Sequence, residues 1–477
     1  MKSILISVFA FLLLFSPCTS NSQTLVSATE MGVLPAVLIT FFGITDAEYN
    51  VRYYKVTYNT TDLNNMPTVA SGLIAVPMDP DCDSIPIALY AHGSALLKTF
   101  VPSRDSIEAN LGKSIASRGY VVAMPDYLGL GDSPGFHTYQ HWETEATSSI
   151  DILRATKEFI QDSLPFDFSN EIFLTGYSQG GHAAMATAKY IQDNQLESEF
   201  NIAGLAPMSG AYHISKRQTD EIILDLPFNF PGYVVYLIMS YENIYSGIYT
   251  NNSDFLQAPY DTLIPPLFDG THSMLEVHPL LPAKASMYLN PNFINSIITD
   301  SSTKSTPFWQ AMLDNDNYDW TPTYPVNLLY CNSDDLVNPL NTLDAFDAMT
   351  ANGVTNIEKE DLGNYNHLDC VVPAVSATID YFQDLRTDCK DPSGLNRLEI
   401  SYNLNAYPNP VINELHIELE NAGSGTIQLF SLEGKLIFSS RMNNTYSIST
   451  QQYKSGVYIL KITTSTHILM KQITIAH

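Results

Sequence analysis

Short apolar runs alternate with amphipathic stretches from residue 85 to residue 208, and the pattern resumes from 325 to 385. Residues 85–91 (IPIALYA), 172–174 (IFL), 203–208 and 325–331 (PVNLLYC) read as buried strands. Residues 105–118, ending at Gly119, and 143–159 carry the helical period between them. Strands alternating with helices imply crossover units and a mostly parallel sheet, so an α/β fold is expected, with ligands at the C-terminal edge of its strands. Ahead of this, residues 49–60 and 66–76 alternate and are rich in β-branched and aromatic residues, with Asn64-Asn65 at the turn. They predict an antiparallel hairpin. Residues 356–362 read as a further strand and 372–385 as an amphipathic helix.

Two stretches break the alternation. Residues 211–322 are rich in Tyr, Phe, Leu and Met, and are expected to form a cap inserted over the catalytic edge. Most of those side chains should pack the cap onto the body, and the remainder should line an apolar pocket. Past a linker at 391–402, residues 403–477 become short alternating segments (415–419, 426–430, 436–439, 456–462 and 468–475) that predict a small β-sandwich. At the other end, Met1-Lys2, the apolar run 4–15 and the small polar stretch 19–22 predict a signal peptide over 1–22, too short to span a bilayer. A lipoprotein reading of Cys18 fits poorly behind Pro17. The body is then 23–390.

Charge narrows the partners. The formal charge is −27, yet residues 401–477 hold five basic against four acidic residues, so the acidity belongs to the body. Phosphate binding needs Lys and Arg clusters that are not there, which argues against nucleic acid or an anionic membrane as partner. An exported chain with Cys82, Cys331, Cys370 and Cys389 permits two disulfides in three connectivities. A Cys331–Cys370 bridge would clamp the acid-bearing strand to the base-bearing loop discussed next, while Cys370–Cys389 or four free thiols remain open.

The chemistry centres on Gly176-Tyr177-Ser178-Gln179-Gly180, a strand, sharp turn and helix start. That context presents a serine hydroxyl, and a Cβ at Gly176 or Gly180 would clash with neighbouring backbone. Such a serine needs a base, an acid that orients the base, and donors for an oxyanion. His367, in the loop Gly363-Asn364-Tyr365-Asn366-His367, is the candidate base. Asp334, just past the 325–331 strand, is the candidate acid, with Asp335 as the alternative and otherwise suited to cap a helix. The oxyanion donors expected are the Gln179 N–H and one from Gly93, Ser94 or Ala95, in the loop after 85–91, where Gly93 should let the backbone approach the substrate carbonyl. His137 and His141, with Glu143 and Glu145 beyond, have a metal-like spacing but no second histidine pair, and are expected to shape the rim of the site. Asp126 and Asp132 are expected to hold the 125–134 loop through turn hydrogen bonds.

Together, Tyr90-Ala91-His92-Gly93-Ser94, the run from Gly119 through Pro125-Asp126-Tyr127 to Asp132-Ser133, and Gly176 to His182 resemble successive signatures of the α/β-hydrolase superfamily, and within it the secreted lipase/esterase group. The resemblance covers about residues 28–385. It departs where many relatives have proline after the acid-turn aliphatics and this chain has Asn338-Pro339. It implies a Ser178–His367–Asp334 triad acting on carboxylic esters through an acyl-enzyme, without metal or organic cofactor. Tyr407-Pro408-Asn409-Pro410, Leu432-Glu433-Gly434-Lys435, Ser455-Gly456-Val457-Tyr458 and Lys471-Gln472-Ile473 resemble the C-terminal sorting domain of the type IX secretion system of Bacteroidetes, although the chain ends in His477 and not the usual lysine. That implies secretion or display at the cell surface, with the secretion machinery as partner. A prolyl-type serine peptidase and a catalytically silent hydrolase-like binder are the alternatives, separated from an esterase by peptide turnover and by loss of all turnover.

Overall fold

The computed structural model describes residues 23–41, 43–387, 404–419, 424–431, 436–464 and 468–477. The expected signal peptide, Cys18, the 391–402 linker, Cys389 and the motif at 432–435 lie outside them. A nine-stranded sheet forms the body, built from β1 (Leu25–Leu34), β2 (Val51–Thr61), β3 (Pro67–Pro77), β4 (Ser84–Ala91), β5 (Val121–Pro125), β6 (Asp167–Tyr177), β7 (Ile202–Met208), β8 (Val326–Tyr330) and β9 (Ile357–Asp361) in the order β1-β2-β3-β5-β4-β6-β7-β8-β9. The first three strands and the β3–β5 pair are antiparallel; from β5 to β9 every pairing is parallel. The predicted hairpin is β2–β3. Strand β1 and helix α1 (Ala36–Phe41) were not visible in the pattern: six of the ten β1 side chains from 26 to 31 are exposed, so no buried alternation marks it.

Helices α2 (Ala109–Ala116), α3 (Trp142–Ser163) and α4 (Gln179–Asp193) connect the parallel strands. One apolar layer, with Ile87, Leu89, Ile152, Leu153 and Leu174, lies on one face of the sheet, and another, with Ala88, Tyr90, Val122, Phe173 and Phe382, on the other. Both faces are covered, as a parallel sheet requires. The C-terminal strand ends are aligned by register: Ala91 opposite Gly176, Tyr177 opposite Met208, and Tyr330 opposite Asp361. Every functional loop named below leaves from this edge.

Between β7 and β8 the chain is helical, with α5 (Thr219–Ile223), α6 (Gly232–Tyr245), α7 (Asn252–Phe255), α8 (Tyr260–Leu263), α9 (Met274–Val277), α10 (Pro291–Thr299) and α11 (Pro307–Asp314). These pack around a core of their own, including Tyr236, Tyr241, Phe255, Phe293 and Trp309, into which Leu96 and Tyr139 of the body enter. After β8 come α12 (Leu340–Ala351) and, after β9, α13 (Val371–Leu385). No described helix is long and apolar enough to cross a membrane.

The tail is a separate seven-stranded antiparallel sheet of β10 (Leu404–Tyr407), β11 (Glu414–Leu419), β12 (Ser424–Ser431), β13 (Leu436–Asn443), β14 (Thr445–Ser449), β15 (Gly456–Thr464) and β16 (Ile468–Ile475), ordered β10-β11-β14-β13-β12-β15-β16. It curls around one apolar core, and a bridge between Val411 and Ile475 joins its two ends. Asn409 fastens that seam, donating to the Gln472 carbonyl at 2.8 Å and accepting from the Thr474 N–H at 2.7 Å.

Candidate active site

Ser178 sits at φ 61°, ψ −119°, between the end of β6 and the start of α4. A non-glycine residue in that region costs about 1–3 kcal/mol and persists only where its surroundings enforce it. They do so here: the Ser178 N–H donates to the Met208 carbonyl at 3.0 Å, and its carbonyl accepts from Gly181 and His182 at 2.9 and 3.2 Å. A Cβ on Gly176 would lie 2.3 Å from the Gly180 carbonyl oxygen, and one on Gly180 would lie 1.9 Å from that of Ala91. Both glycines are therefore dictated by backbone contact, as the sequence led one to expect. The Gln179 N–H, first in α4, has no acceptor within the helix.

Asp334 and His367 meet. His367 Nδ1 lies 2.7 Å from Asp334 Oδ2, both side chains being almost wholly buried. The other carboxylate oxygen, Asp334 Oδ1, accepts the N–H groups of Leu336 and Val337 at 3.0 and 2.8 Å. With a carboxylate as acceptor, Nδ1 carries the imidazole proton and Nε2 is left with its lone pair. Asp335 has a different task from the capping one expected of it. Its Oδ1 accepts the backbone N–H of His367 at 3.2 Å, while Asn338 takes the turn before α12 by accepting from Leu340 at 3.0 Å. The neighbour of the serine completes the tether: Tyr177 donates its hydroxyl to the His367 carbonyl at 2.6 Å, with the two rings 5.0 Å apart. Cys331 and Cys370 form a disulfide between the end of β8 and the start of α13, which flank the Asp334 and His367 loops. Cys82 is also disulfide-bonded.

The loop after β4 differs from expectation. The Gly93 N–H donates to Glu108 Oε2 at 2.7 Å, and a Cβ on Gly93 would lie 2.9 Å from Glu108 Oε1. A side chain there would press on the Glu108 carboxylate, and the Gly93 N–H is already engaged. Ser94 instead lines the pocket beside Ser178, its hydroxyl 2.9 Å from that of Tyr139. Cap helix α6 braces this loop from above: Tyr236 donates to the Ala95 carbonyl at 3.1 Å and stacks on Tyr139 at 4.5 Å.

Sequence reasoning placed His137 and Glu145 at the rim but missed what they touch. The Gln179 side-chain amide donates to Glu145 Oε1 at 2.9 Å and to His137 Nε2 at 3.0 Å. Glu145 Oε2 is 2.7 Å from His182 Nδ1, and His182 Nε2 is 2.9 Å from the Asn315 carbonyl. Both His182 nitrogens thus face acceptors, which requires two protons. Burial opposes that charge, but the Glu145 carboxylate and the carbonyl hold the His182 pKa above its ordinary value. Burial pushes His137 down to about 4, so it stays neutral, donating from Nδ1 to Leu128 and accepting at Nε2. His141 is likewise held at about 4 by burial, beside Thr144. Asp126 and Asp132 are tied at long range and not through turns of their own: Asp126 accepts from Ser71 at 2.5 Å and from the Ser103 N–H at 2.9 Å, and Asp132 pairs with Lys55 at 2.5 Å and with Arg104.

A pocket opens on Ser178. Its walls are Ala211, Ile222, Phe228, Tyr233, Val234, Leu237, Ile238, Leu336 and Val337, with Ser94, Gln140, Gln218, Thr219 and Glu221 as the polar members.

This arrangement has solved counterparts. The rice cell wall degrading esterase LipA from Xanthomonas oryzae is 27 % identical, with a TM-score of 0.70 over 76 % of this chain and 99 % of its own. Candida antarctica lipase A, at 16 % identity and a TM-score of 0.55 over 77 % and 83 %, shares the fold. The body has the α/β-hydrolase fold. Its neighbours being esterases and lipases supports a carboxylic ester hydrolase. Residues 405–476 match the secretion system C-terminal sorting domain, so the hydrolase is exported, for secretion or attachment at the cell surface. No curated protein sequence matches the chain.

Proposed function

We propose that this hydrolase is a secreted serine carboxylic ester hydrolase that works through a Ser178–His367–Asp334 triad and an acyl-enzyme. The observation that carries the reading is the 2.7 Å contact between Asp334 and His367, whose loop is tied by Tyr177, the residue before Ser178. His367 Nε2 takes the Ser178 proton as the hydroxyl attacks the ester carbonyl, and returns it to the leaving alcohol; water then repeats the sequence to release the acid. Asp334 fixes the tautomer and stabilises the imidazolium. The developing oxyanion is held by the Gln179 N–H and, since Gly93 is engaged by Glu108, by the N–H of Ser94. The triad chemistry is complete in these side chains and the proposal calls on no cofactor. The apolar walls suit an acyl or aryl chain, and the sorting domain brings the secretion machinery as a partner.

Hydrolysis of p-nitrophenyl esters from acetyl to palmitoyl by the full chain and by Ser178→Ala is the test. Turnover that Ser178→Ala abolishes while thermal unfolding is unchanged is the expected result. Equal turnover of peptide anilides would point to a peptidase, and no Ser178-dependent turnover at all to a silent binder.

A further inference from the structure

Glu221 stands apart from every other acidic group near the triad. It lies on α5, close in sequence to Thr219 and Ile222, in the wall of the same pocket as Ser178, which Phe228 and Leu237 also line. Asp334 and Asp335 accept backbone and imidazole N–H groups, and Glu145 accepts from Gln179 and His182. Among the described residues the Glu221 carboxyl accepts and donates nothing, and no cation pairs with it. The nearby cations are committed elsewhere: Lys216 to Asp220 at 3.5 Å, Arg217 to Asp344 at 2.7 Å and Lys284 to Asp225 at 3.5 Å. The ionisable groups that act on it or share its pocket are Asp334, Tyr288, Tyr139 and Tyr233, none of which offers a positive charge.

Glu221 is half-buried and without a protein partner, so a chain that fills this pocket strips water from its carboxyl and leaves a cost unless it supplies a partner in return. The proposed reaction supplies such a chain, since the acyl part of an ester enters this pocket. We propose that Glu221 is a specificity-determining residue, selecting esters whose pocket-bound chain carries a hydroxyl group over plain hydrocarbon chains. Burial, reinforced by the Asp334 charge, lifts Glu221 to about 8, so at neutral pH it is a carboxylic acid. In that form it can both donate to a hydroxyl and accept from one. Gln218, Thr219 and Gln140 give the same wall further polar groups. A plain alkyl chain would strip water from Glu221 and return nothing, which is how a site built for a hydroxyl rejects the analogue that lacks it.

This inference rests on the esterase reading, and the test separates the two. Wild type, Glu221→Gln and Glu221→Leu are compared on p-nitrophenyl esters of 3-hydroxybutanoic, 6-hydroxyhexanoic and 8-hydroxyoctanoic acids beside the unsubstituted acids. For at least one chain length the wild type should favour the hydroxy ester by about 10–100-fold in kcat/KM at pH 7. Glu221→Gln, neutral and able to donate and accept, should keep most of that preference, and Glu221→Leu should erase or invert it. Above pH 8 the wild-type ratio should rise further, because a hydrocarbon chain must then desolvate a charged carboxylate, while the ratio in Glu221→Gln stays flat. A wild type that prefers the plain ester at every length, or a ratio that Glu221→Leu leaves unmoved, overturns the assignment. So does a 6-(trimethylammonio)hexanoyl ester that outruns the hydroxy ester, which would make the ligand a cation. Binding of 1,6-hexanediol against 1-hexanol to Ser178→Ala, followed by NMR, needs no turnover. A diol preference in Ser178→Ala together with a wild type that hydrolyses none of the esters sinks the ester reading alone; no diol preference in the folded Ser178→Ala sinks the role of Glu221.

Discussion

On the sheet side of the catalytic pocket polar groups close on one another. Asp334 holds His367, Asp335 holds the His367 backbone, Tyr177 holds its carbonyl, and Glu145, His182 and His137 converge on Gln179. On the cap side the walls are Phe228, Tyr233, Val234, Leu237 and Ile238, with Glu221 unpaired among them. Satisfied buried networks rigidify and specify one geometry, whereas apolar walls tolerate changes of shape at modest cost. On the reading proposed above, the sheet side carries the chemistry and the cap side the choice of substrate. Substitutions on the first should cost rate or stability, and on the second should redistribute substrates.

The largest effect expected is from Asp334→Asn. The amide turns the wrong tautomer of His367 toward Ser178, so kcat on a preferred p-nitrophenyl ester should fall about 10⁴-fold with the fold intact. Asp335→Asn still offers an oxygen to the His367 N–H and should stay within about tenfold. Stopped-assay kinetics on the two variants decide between them, and the reverse order would move the acid by one residue.

Next in size is the buried pair beneath the nucleophile. Glu145→Leu strands His182 and the Gln179 amide, and should destabilise the protein by about 3–5 kcal/mol. Glu145→Gln keeps partners for both and should cost less. The pH dependence has a definite sign. His182 has a raised pKa, so its contribution is complete below the unfolded histidine value of about 6.5 and is lost as pH rises through the folded value. Guanidinium unfolding of the wild type from pH 6 upward should show that decline, and Glu145→Gln should flatten it. A slope unchanged in Glu145→Gln would mean His182 is not charged in the native protein.

The disulfide belongs to the same side, joining β8, whose loop carries the proposed acid, to α13, which follows the proposed base. Replacing both Cys331 and Cys370 by Ala should lower stability by about 2–4 kcal/mol, read from thermal unfolding. The loss of kcat should exceed the change in KM, because the bridge fixes the geometry of groups and touches no substrate.

What could be read from the sequence divides along the same line. The elbow was legible because Gly176 and Gly180 are forced by backbone contact and the apolar run Ile172, Phe173 and Leu174 leads into the turn. The proposed acid and base were picked by position after β8 and β9; that Asp334, and not Asp335, meets His367 Nδ1 depends on side-chain direction, which two adjacent aspartates do not reveal. Gly93 shows a related limit: a glycine announces a close approach without naming the group that approaches, here Glu108. The Gln179 network joins residues 34 to 42 positions apart, on α3, α4 and the loop before α3. A sequence spacing cannot show that convergence, although two glutamates and two histidines in one short stretch marked the place. The cap was the least legible. Helix α6 is apolar around most of its circumference, so no amphipathic stripe separates the face toward the pocket from the face toward the body.

The structure separates those faces, and the last prediction uses them. Tyr233, Val234, Leu237 and Ile238 turn to the pocket, while Tyr236, Ser240 and Tyr241 reach the body through the carbonyls of Ala95, His137 and Gln140. Leu237→Trp adds bulk on the first face and leaves the second untouched. It should lower kcat/KM for the longest acyl chains by about 10–100-fold while acetyl and butyryl esters change little, since each excluded methylene is worth about 1–3 kcal/mol. An acyl-chain profile measured on both proteins checks it. A uniform loss across all chain lengths would place the acyl group elsewhere and make α6 a brace for the Ser94 loop, collapsing the division between the two sides at that helix.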